Sequence, residues 1–487
     1  MRQPMVAGLL LATLVLAGGR SHAQQAPVTI EQRLQRFDRN GDGKLTQEEL
    51  PSPKLLKQLD RDGDGVVTLD EAKAWAGRQH GAPSGGQTPA TAYDPSLKPR
   101  PHGQEAIDAG LRPDVLARLD LAMQQAILNK EVAGLIGLIH HNGRRGYFEA
   151  FGFQDIEAGK EMPKDAIFRL QSMTKPIIAV TALALCDEGR FGLDDPIATH
   201  CPEWAAPQVL ENGQVVPAKS PITPRMLMSH SSGLYYGDIE KGAFAGGILS
   251  GGGIRRVPNM TLESYSRELA KRPLKFHPGE GYQYGTSIDV LGRYIEAVSG
   301  RPLDVVVREK VTAPLKMGDT DFWVPPDKAD RIVQLYRQPA PGQLAPARAT
   351  RQLTVKPTLF LGGQGLCSTA AGYERFCLML LNRGELDGVR VLKRETVDLM
   401  FENHLKVPVL KYGLGGAVDG DGGYAWGGAN GTQFWIDRTH SLFGIFMVQA
   451  QAYRAPTYNT FRALASEAAG IAPNRVWRAP EEGVPHE

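Results

Sequence analysis

The chain has few cysteines, no long apolar run and no surplus of either charge, and each shortage closes off a class of function. Four cysteines, Cys186, Cys201, Cys367 and Cys377, are spread over 487 residues. That count permits disulfides, and the three possible pairings are not distinguished by sequence. Cys186 falls in an apolar helical stretch, the usual setting of a buried free thiol. No Cys-x-x-Cys and no His-Glu-x-x-His occurs, so a zinc site has no sequence support and no cofactor is expected for catalysis. His140 and His141 are adjacent on an expected strand, where side chains point to opposite faces, and read as structural. The formal charge is +2, and no Lys/Arg block has the density that phosphate backbones or anionic lipids require. Nucleic acid is not an expected partner. The serine-hydrolase signature Gly-x-Ser-x-Gly is absent, since Gly285-Thr286-Ser287-Ile288-Asp289 fails at its last position.

What is present begins at the N-terminus. Arg2, an apolar run over 5–17 and the small residues of Gly18-Gly19-Arg20-Ser21-His22-Ala23 have the form of a cleaved signal peptide, residues 1–23. The run is shorter than the ~18 residues of a membrane span, and no cysteine follows it to carry lipid. A soluble, periplasmic or secreted protein with no membrane anchor after cleavage is expected, starting near Gln24.

Residues 28–75 carry one pattern twice. The first copy is Asp38-Arg39-Asn40-Gly41-Asp42-Gly43-Lys44-Leu45-Thr46-Gln47-Glu48-Glu49. The second is Asp60-Arg61-Asp62-Gly63-Asp64-Gly65-Val66-Val67-Thr68-Leu69-Asp70-Glu71. A hard cation wants six to eight oxygens on a tightly curled loop, with side chains from positions one, three, five and nine, a carbonyl from seven and a bidentate glutamate at twelve. Both copies fit the calcium loop of an EF-hand at each of these positions. The ligands would be Asp38, Asn40, Asp42, Lys44 (carbonyl), Thr46 and Glu49, then Asp60, Asp62, Asp64, Val66 (carbonyl), Thr68 and Glu71. Gly43 and Gly65 permit the sharp turn at position six. Leu45 and Val67 sit at position eight, where paired loops join through a short strand. The loops start only 22 residues apart, so the helix between them, around 51–58, must be short and shared. A small all-α EF-hand pair is expected, structural and constitutively filled with Ca2+, because calcium is abundant outside the cell.

The stretch 76–104 turns to Gly, Pro, Ser, Thr and Gln, which cannot bury enough apolar surface to order itself, and reads as a flexible linker. Periodic sequence resumes at 105. Val115, Leu119, Met123 and Ile127 recur at helical spacing. Apolar runs at 135–139 and 146–153, separated by His141-Asn142-Gly143, predict a hairpin. A short strand over 166–170 leads into Phe168-Arg169-Leu170-Gln171-Ser172-Met173-Thr174-Lys175, backed by the apolar run 176–185. A serine and a lysine three apart at a helix start share one face, so the amine can reach the hydroxyl. That pairs a nucleophile with a base in a mixed α/β (α+β) domain.

From here the sequence resembles the serine β-lactamase and penicillin-binding-protein-like hydrolases, in particular the class C β-lactamase and family VIII carboxylesterase branch. Beyond Ser-x-x-Lys, the resemblance runs through Leu193-Asp194-Asp195-Pro196, the stretch 222–234 with Ser229-His230-Ser231-Ser232-Gly233-Leu234, Pro278-Gly279, Asp289-Val290-Leu291-Gly292-Arg293, Pro314-Leu315-Lys316-Met317 and Gly365-Leu366-Cys367-Ser368-Thr369-Ala370. It covers residues 105–478. The resemblance implies an antiparallel sheet flanked by helices, a helical lobe and a cleft between them. It implies Ser172 as nucleophile, with Lys175 as base or as the charge that lowers a neighbour's pKa. Tyr284 would relay the proton, with Tyr282 a rival that the family's Pro-Gly spacing disfavours. The third element falls at Tyr424-Ala425-Trp426-Gly427-Gly428-Ala429-Asn430-Gly431-Thr432. There Trp426, Gly427 and Gly428 would line the substrate, and the Ala429 amide would join that of Ser172 as the oxyanion hole.

Two departures bear on substrate. Gly285-Thr286 stands where β-lactamases of this family have Ser-Asn, and Trp426 replaces a cation or His that would meet a carboxylate. Both remove polar handles and point to the carboxylesterase branch acting on small acyl esters. The alternatives are an amide hydrolase (a β-lactamase, D-aminopeptidase or DD-carboxypeptidase) and a catalytically inactive calcium-binding protein. The glycine-rich stretch 242–253 fits a flap over the cleft or a plain loop. Gly363-Gln364-Gly365 lacks the Gly-Lys-Ser/Thr of a phosphate loop and is not read as one.

Overall fold

The computed structural model describes residues 44–46, 49, 60, 64–68, 71, 93–236, 259–348, 352–407, 411–451, 453 and 456–472. The expected signal peptide, linker residues 76–92, the stretch 242–253, the tail 473–478 and the loop positions Asp38, Asn40, Asp42 and Asp62 lie outside the described residues. The chain divides into two compact units, Met1–Ala92 and Tyr93–Glu487.

In the first unit, β1 (Lys44–Thr46) and β2 (Val66–Thr68) pair antiparallel with Leu45 opposite Val67, and both of these side chains are buried. This is the short strand expected at position eight of two paired loops. Gly65 has φ +88°, a left-handed conformation that glycine adopts without steric cost.

The second unit is built on a seven-stranded sheet. Its strands are β3 (Gly134–His141), β4 (Arg144–Asp155), β5 (Lys160–Glu161), β8 (Ala417–Val418), β9 (Gly423–Gly427), β10 (Gln433–Asp437) and β11 (Leu442–Val448), in the order β8-β9-β10-β11-β3-β4-β5. Every pairing in it is antiparallel. The β3–β4 hairpin turns at Asn142 and Gly143, both with positive φ, the Asn-Gly chemistry of a two-residue turn.

Alternation along the strands makes two cores. Leu135, Ile139, Trp435, Phe446 and Val448 face one way, against Val115, Leu119 and Met123 of α1 (Pro113–Leu128) and Phe461 and Leu464 of α7 (Thr457–Ala468). Ile136, Leu138, Phe434, Ile445 and Met447 face the other way, toward α2 (Thr174–Asp187) and the helical lobe. That lobe includes α3 (Pro224–Met228), α4 (Leu262–Ala270) and α5 (Ser287–Ser299), while α6 (Ala370–Leu381) lies nearer the sheet. All twelve residues of α2 from Thr174 to Leu185 are buried, which is why its sequence is apolar all round rather than striped. Among the described residues no helix is long and apolar enough to cross a membrane.

The expected linker is too long at its C-terminal end. Residues 93–103 are docked on α1 and β4. Asp94 N–H donates to Gln125, Gln124 donates to the Lys98 carbonyl, and the Arg100 guanidinium lies 4.5 Å from the Phe151 ring centroid. Polar contacts, with Tyr93 packed on the α1-side core, fix this arm, so composition alone reads it as disordered.

Candidate active site

Ser172 lies in a single 3₁₀ turn, Gln171–Met173, immediately ahead of α2. The turn is entered from β6 (Phe168–Arg169), which pairs with β7 (Cys367–Ser368). Gln171 has φ +48°, an uncommon value for a residue with a side chain, so the nucleophile position is reached through a strained residue. The turn is pinned from two sides. Leu170 N–H donates to Leu366 O at 3.0 Å, and Thr432 Oγ1 donates to Leu170 O at 3.0 Å.

Lys175, in the first turn of α2, is completely buried. Its Nζ donates to Ser172 Oγ at 2.9 Å and to the Gly363 carbonyl at 2.8 Å. Tyr284, in the loop ahead of α5, donates its hydroxyl to Ser172 Oγ at 2.7 Å, and Lys175 Nζ stands 4.5 Å from the centroid of its ring. The hydrogen bond to Ser172 therefore comes from Tyr284. Tyr282 instead packs on Tyr412, ring centroids 5.5 Å apart.

The third element supplies a wall. Trp426 on β9 sets its indole 5.4 Å from the Tyr284 ring and 5.0 Å from that of Tyr412. The half-exposed Tyr236 meets Tyr284 edge-on at 5.7 Å. Gly428 faces the nucleophile turn so closely that a Cβ there would lie 2.2 Å from Leu170 O and 2.5 Å from Thr432 Oγ1. Gly427 ends β9 opposite Gln433. Ala429 follows directly and is exposed, and its N–H donates to no acceptor among the described residues.

Three groups with no role assigned from sequence join this site. Gly363, inside the rejected phosphate-loop triplet, receives Lys175 on its carbonyl and donates its own N–H to Asp289 Oδ1 at 2.7 Å. Burial pushes the Asp289 carboxyl up to about 6, against the opposing pull of the Gly363 N–H and Lys175. The sequence signal for Asp289 is its place in the stretch Asp289-Val290-Leu291-Gly292-Arg293 that carries the resemblance. His230 is also fully buried, and burial with Lys175 nearby holds its imidazole well below the ordinary histidine range, so the ring is neutral. It packs 4.8 Å from Tyr284, and neither ring nitrogen has a hydrogen-bond partner among the described residues.

All four cysteines are free. Burial pushes the Cys201 thiol up to about 12 and that of Cys377 well above the ordinary thiol range, which leaves both inert at neutral pH.

Of the expected calcium ligands, Lys44, Thr46, Glu49, Asp60, Asp64, Val66, Thr68 and Glu71 are described. Gly65 N–H donates to Asp60 Oδ2 at 2.9 Å and Val66 N–H to Asp64 Oδ1 at 3.0 Å. Glu49 and Glu71 each accept from the threonine three residues earlier, through both its N–H and its hydroxyl. Asp60 and Asp64 thus turn carboxyl oxygens toward nearby backbone N–H groups, and carboxylate and threonine oxygens are the donor types that suit a hard cation. Among the described residues no cluster of three or more His, Cys, Asp or Glu is gathered to hold a metal.

A family model described as Beta-lactamase matches residues 119–468. The chain belongs to the beta-lactamase family. An EF hand model matches residues 30–50 and 54–73. Esterase EstB of Burkholderia gladioli is 35% identical over 209 residues, covering 42% of this chain and 51% of that protein. The lovastatin esterase of Penicillium rubens is 28% identical over 379 residues, 68% of this chain and 92% of that one. Among solved structures, EstCE1, a hydrolase with promiscuous acyltransferase activity, superposes with a TM-score of 0.62 at 25% identity, covering 72% of this chain and 98% of that one. Within the family, this chain is a serine hydrolase of the β-lactamase fold, with esterases and acyltransferases among its relatives.

Proposed function

We propose that the protein is an exported carboxylesterase that acts on small acyl esters through an acyl-enzyme on Ser172. The observation that carries this reading is the convergence of Lys175 Nζ and Tyr284 Oη on one serine oxygen, at 2.9 and 2.7 Å, beneath aromatic side chains. Ser172 Oγ attacks the ester carbonyl and its proton passes to the Lys175–Tyr284 pair. The Ser172 and Ala429 amides receive the developing oxyanion, and Tyr284 returns the proton to the departing alcohol. Water, activated by the same pair, then hydrolyses the acyl-enzyme.

Ester is favoured over lactam at the third element, since Gly285 and the buried Thr286 are set by packing. At the third element Trp426 presents an apolar ring where a carboxylate would need a cation. The test is turnover of a short-chain nitrophenyl ester against a chromogenic cephalosporin, with Ser172→Ala as control. Ester hydrolysis abolished in the variant is expected. Undiminished hydrolysis refutes the mechanism, a preference for cephalosporin refutes the subclass, and silence on both favours a calcium-binding protein without chemistry.

Two further parts belong to this reading. The tandem loops hold structural Ca2+ through their carboxylates, the Lys44 and Val66 carbonyls and the threonines, and calorimetry showing no uptake at millimolar calcium would contradict it. The chain is exported after cleavage near Gln24, which mass spectrometry of protein recovered outside the cytoplasm reads directly.

A further inference from the structure

Asp289 is the third residue of α5 and only 2% exposed, among Ile288, Val290 and Leu291, which are also buried. A carboxyl in such surroundings is retained against the cost of removing its charge from water. The favourable N-terminal end of the helix offsets part of that cost, and the rest of its surroundings lead straight to the nucleophile. Its Oδ1 accepts Gly363 N–H at 2.7 Å, the Gly363 carbonyl accepts Lys175 Nζ at 2.8 Å, and Nζ donates to Ser172 Oγ at 2.9 Å. Three hydrogen bonds in series thus connect the buried carboxyl with the reacting oxygen.

The backbone around Gly363 is shaped for this. A Cβ on Gly363 would lie 3.1 Å from both Asp289 carboxyl oxygens, and one on Gly362 would lie 2.4 Å from Ile288 O. The loop therefore lies directly on the first turn of α5. Its far end is fastened separately, by Leu366 N–H to Thr174 Oγ1 at 3.1 Å and by Leu170 N–H to Leu366 O at 3.0 Å. Loss of the Asp289 bond would therefore misplace the Gly363 carbonyl without releasing the nucleophile turn.

We infer that Asp289 is a positioning residue for Lys175: it holds Gly363 so that the carbonyl fixes the amine against Ser172, and it supplies the negative charge that balances the amine when protonated. This rests on the reading of Ser172 and Lys175 as acyl-transfer machinery. The charged group facing Asp289 is Lys175 from α2, alongside the Gly363 N–H from the 361–365 loop. Tyr284 precedes its own helix. Its hydroxyl and His230, just past α3, are the other titratable groups near Lys175, and burial keeps the His230 ring neutral. With the carboxyl at about 6, its charge is lost on mild acidification while the hydrogen bond to Gly363 persists, because a protonated carboxyl still accepts through its carbonyl oxygen.

Asp289→Asn and Asp289→Ala in the full chain separate the two contributions, since asparagine keeps an acceptor for Gly363 N–H without the charge. With a short-chain nitrophenyl ester from pH 5 to 9, Asp289→Ala is expected to lower kcat by about 10- to 100-fold with KM within about twofold, the scale on which a small misplacement acts. Asp289→Asn should return kcat at pH 8 to within about threefold of wild type, and its kcat/KM profile should lack the inflection near pH 6. A wild-type kcat in folded Asp289→Ala, or a wild-type profile in Asp289→Asn, overturns the inference. Should the alanine variant not fold, the asparagine profile still decides. Ser172→Ala, run alongside, keeps the two readings apart: full turnover there refutes the acyl-enzyme itself, whereas a dead Ser172→Ala beside unaltered Asp289 variants refutes only the role of Asp289.

Discussion

Shortening the chain tests where the hydrolase unit begins. The docked arm meets a buried acid on α1. Asp120, with no exposed surface, accepts Arg100 N–H at 2.8 Å, lies 2.9 Å from His102 Nε2, and accepts the Tyr147 hydroxyl at 2.9 Å. A carboxylate only accepts, so Nε2 carries the proton in that pair. A chain starting at Tyr93 keeps all three donors. A chain starting at Gln104 removes two of the three and leaves the acid buried with Tyr147 alone. It also loses the Arg100 hydrogen bond to Ala150 O and the guanidinium stacked on Phe151. Stripping partners from a buried charge costs about 3–5 kcal/mol, with about 1 kcal/mol more for each neutral hydrogen bond lost. Set against a typical stability of about 5–15 kcal/mol, that loss is severe. Urea unfolding of the two shortened chains, with ester turnover per folded molecule, measures it. The Tyr93 chain should match the full-length protein in turnover, because it keeps the whole second compact unit. The Gln104 chain should unfold at markedly lower urea. A difference below about 1 kcal/mol would show that the arm is a passive passenger and that Asp120 finds other donors.

Three further outcomes follow from the site. Tyr284→Phe removes the 2.7 Å hydrogen bond to Ser172 while keeping the ring under Lys175, and should lower kcat by about 10²–10⁴ with little change in KM, read from steady-state ester kinetics. Gly428→Ala would place a Cβ 2.2 Å from Leu170 O, so it should displace the nucleophile turn, lowering both kcat and the melting temperature; unchanged kinetics would show that the third element does not abut Ser172. Asp289→Asn should be more stable than wild type above pH 6: a carboxyl raised from 3.8 to about 6 contributes stability fully present below 3.8 and lost as pH rises through 6, an amount on the order of 3 kcal/mol that the neutral amide does not lose. Equal melting temperatures at pH 8, with the variant not lagging at pH 4, would contradict that linkage.

The elements legible in the sequence are those set by local rules. Apolar runs at 135–139 and 146–153 and the Asn142-Gly143 turn specify the β3–β4 hairpin, and the helical spacing of Val115, Leu119 and Met123 specifies α1. Ser172 and Lys175 are legible because three residues along a helix start suffice to bring them together. What escaped depends on contacts remote in sequence. Gly363 reaches Lys175 across 188 residues, and no local pattern gives a glycine triplet that role. The 93–103 arm is ordered by polar atoms on α1 and β4, which composition counts as solvating. The disulfide question is settled by placement rather than number, since all four thiols are free and three of them are buried in packed interior.

The structure also changes what the substrate argument rests on. From sequence, Gly285, Thr286 and Trp426 carry equal weight as substitutions that remove polar handles. In the fold, residue 285 lies against the backbone of Leu234 and Tyr235, with a Cβ position 2.7 Å from one carbonyl oxygen and 2.4 Å from the other Cα. Glycine there follows from how the 231–236 segment packs, whatever the substrate, and the burial of Thr286 follows from the same packing. Trp426 is different. Its indole is held between Tyr284 and Tyr412. An aromatic ring at that place supplies no countercharge to a carboxylate. The preference for a neutral ester therefore rests on one side chain, while the neighbouring glycine and threonine record the geometry that holds Tyr284 over Ser172.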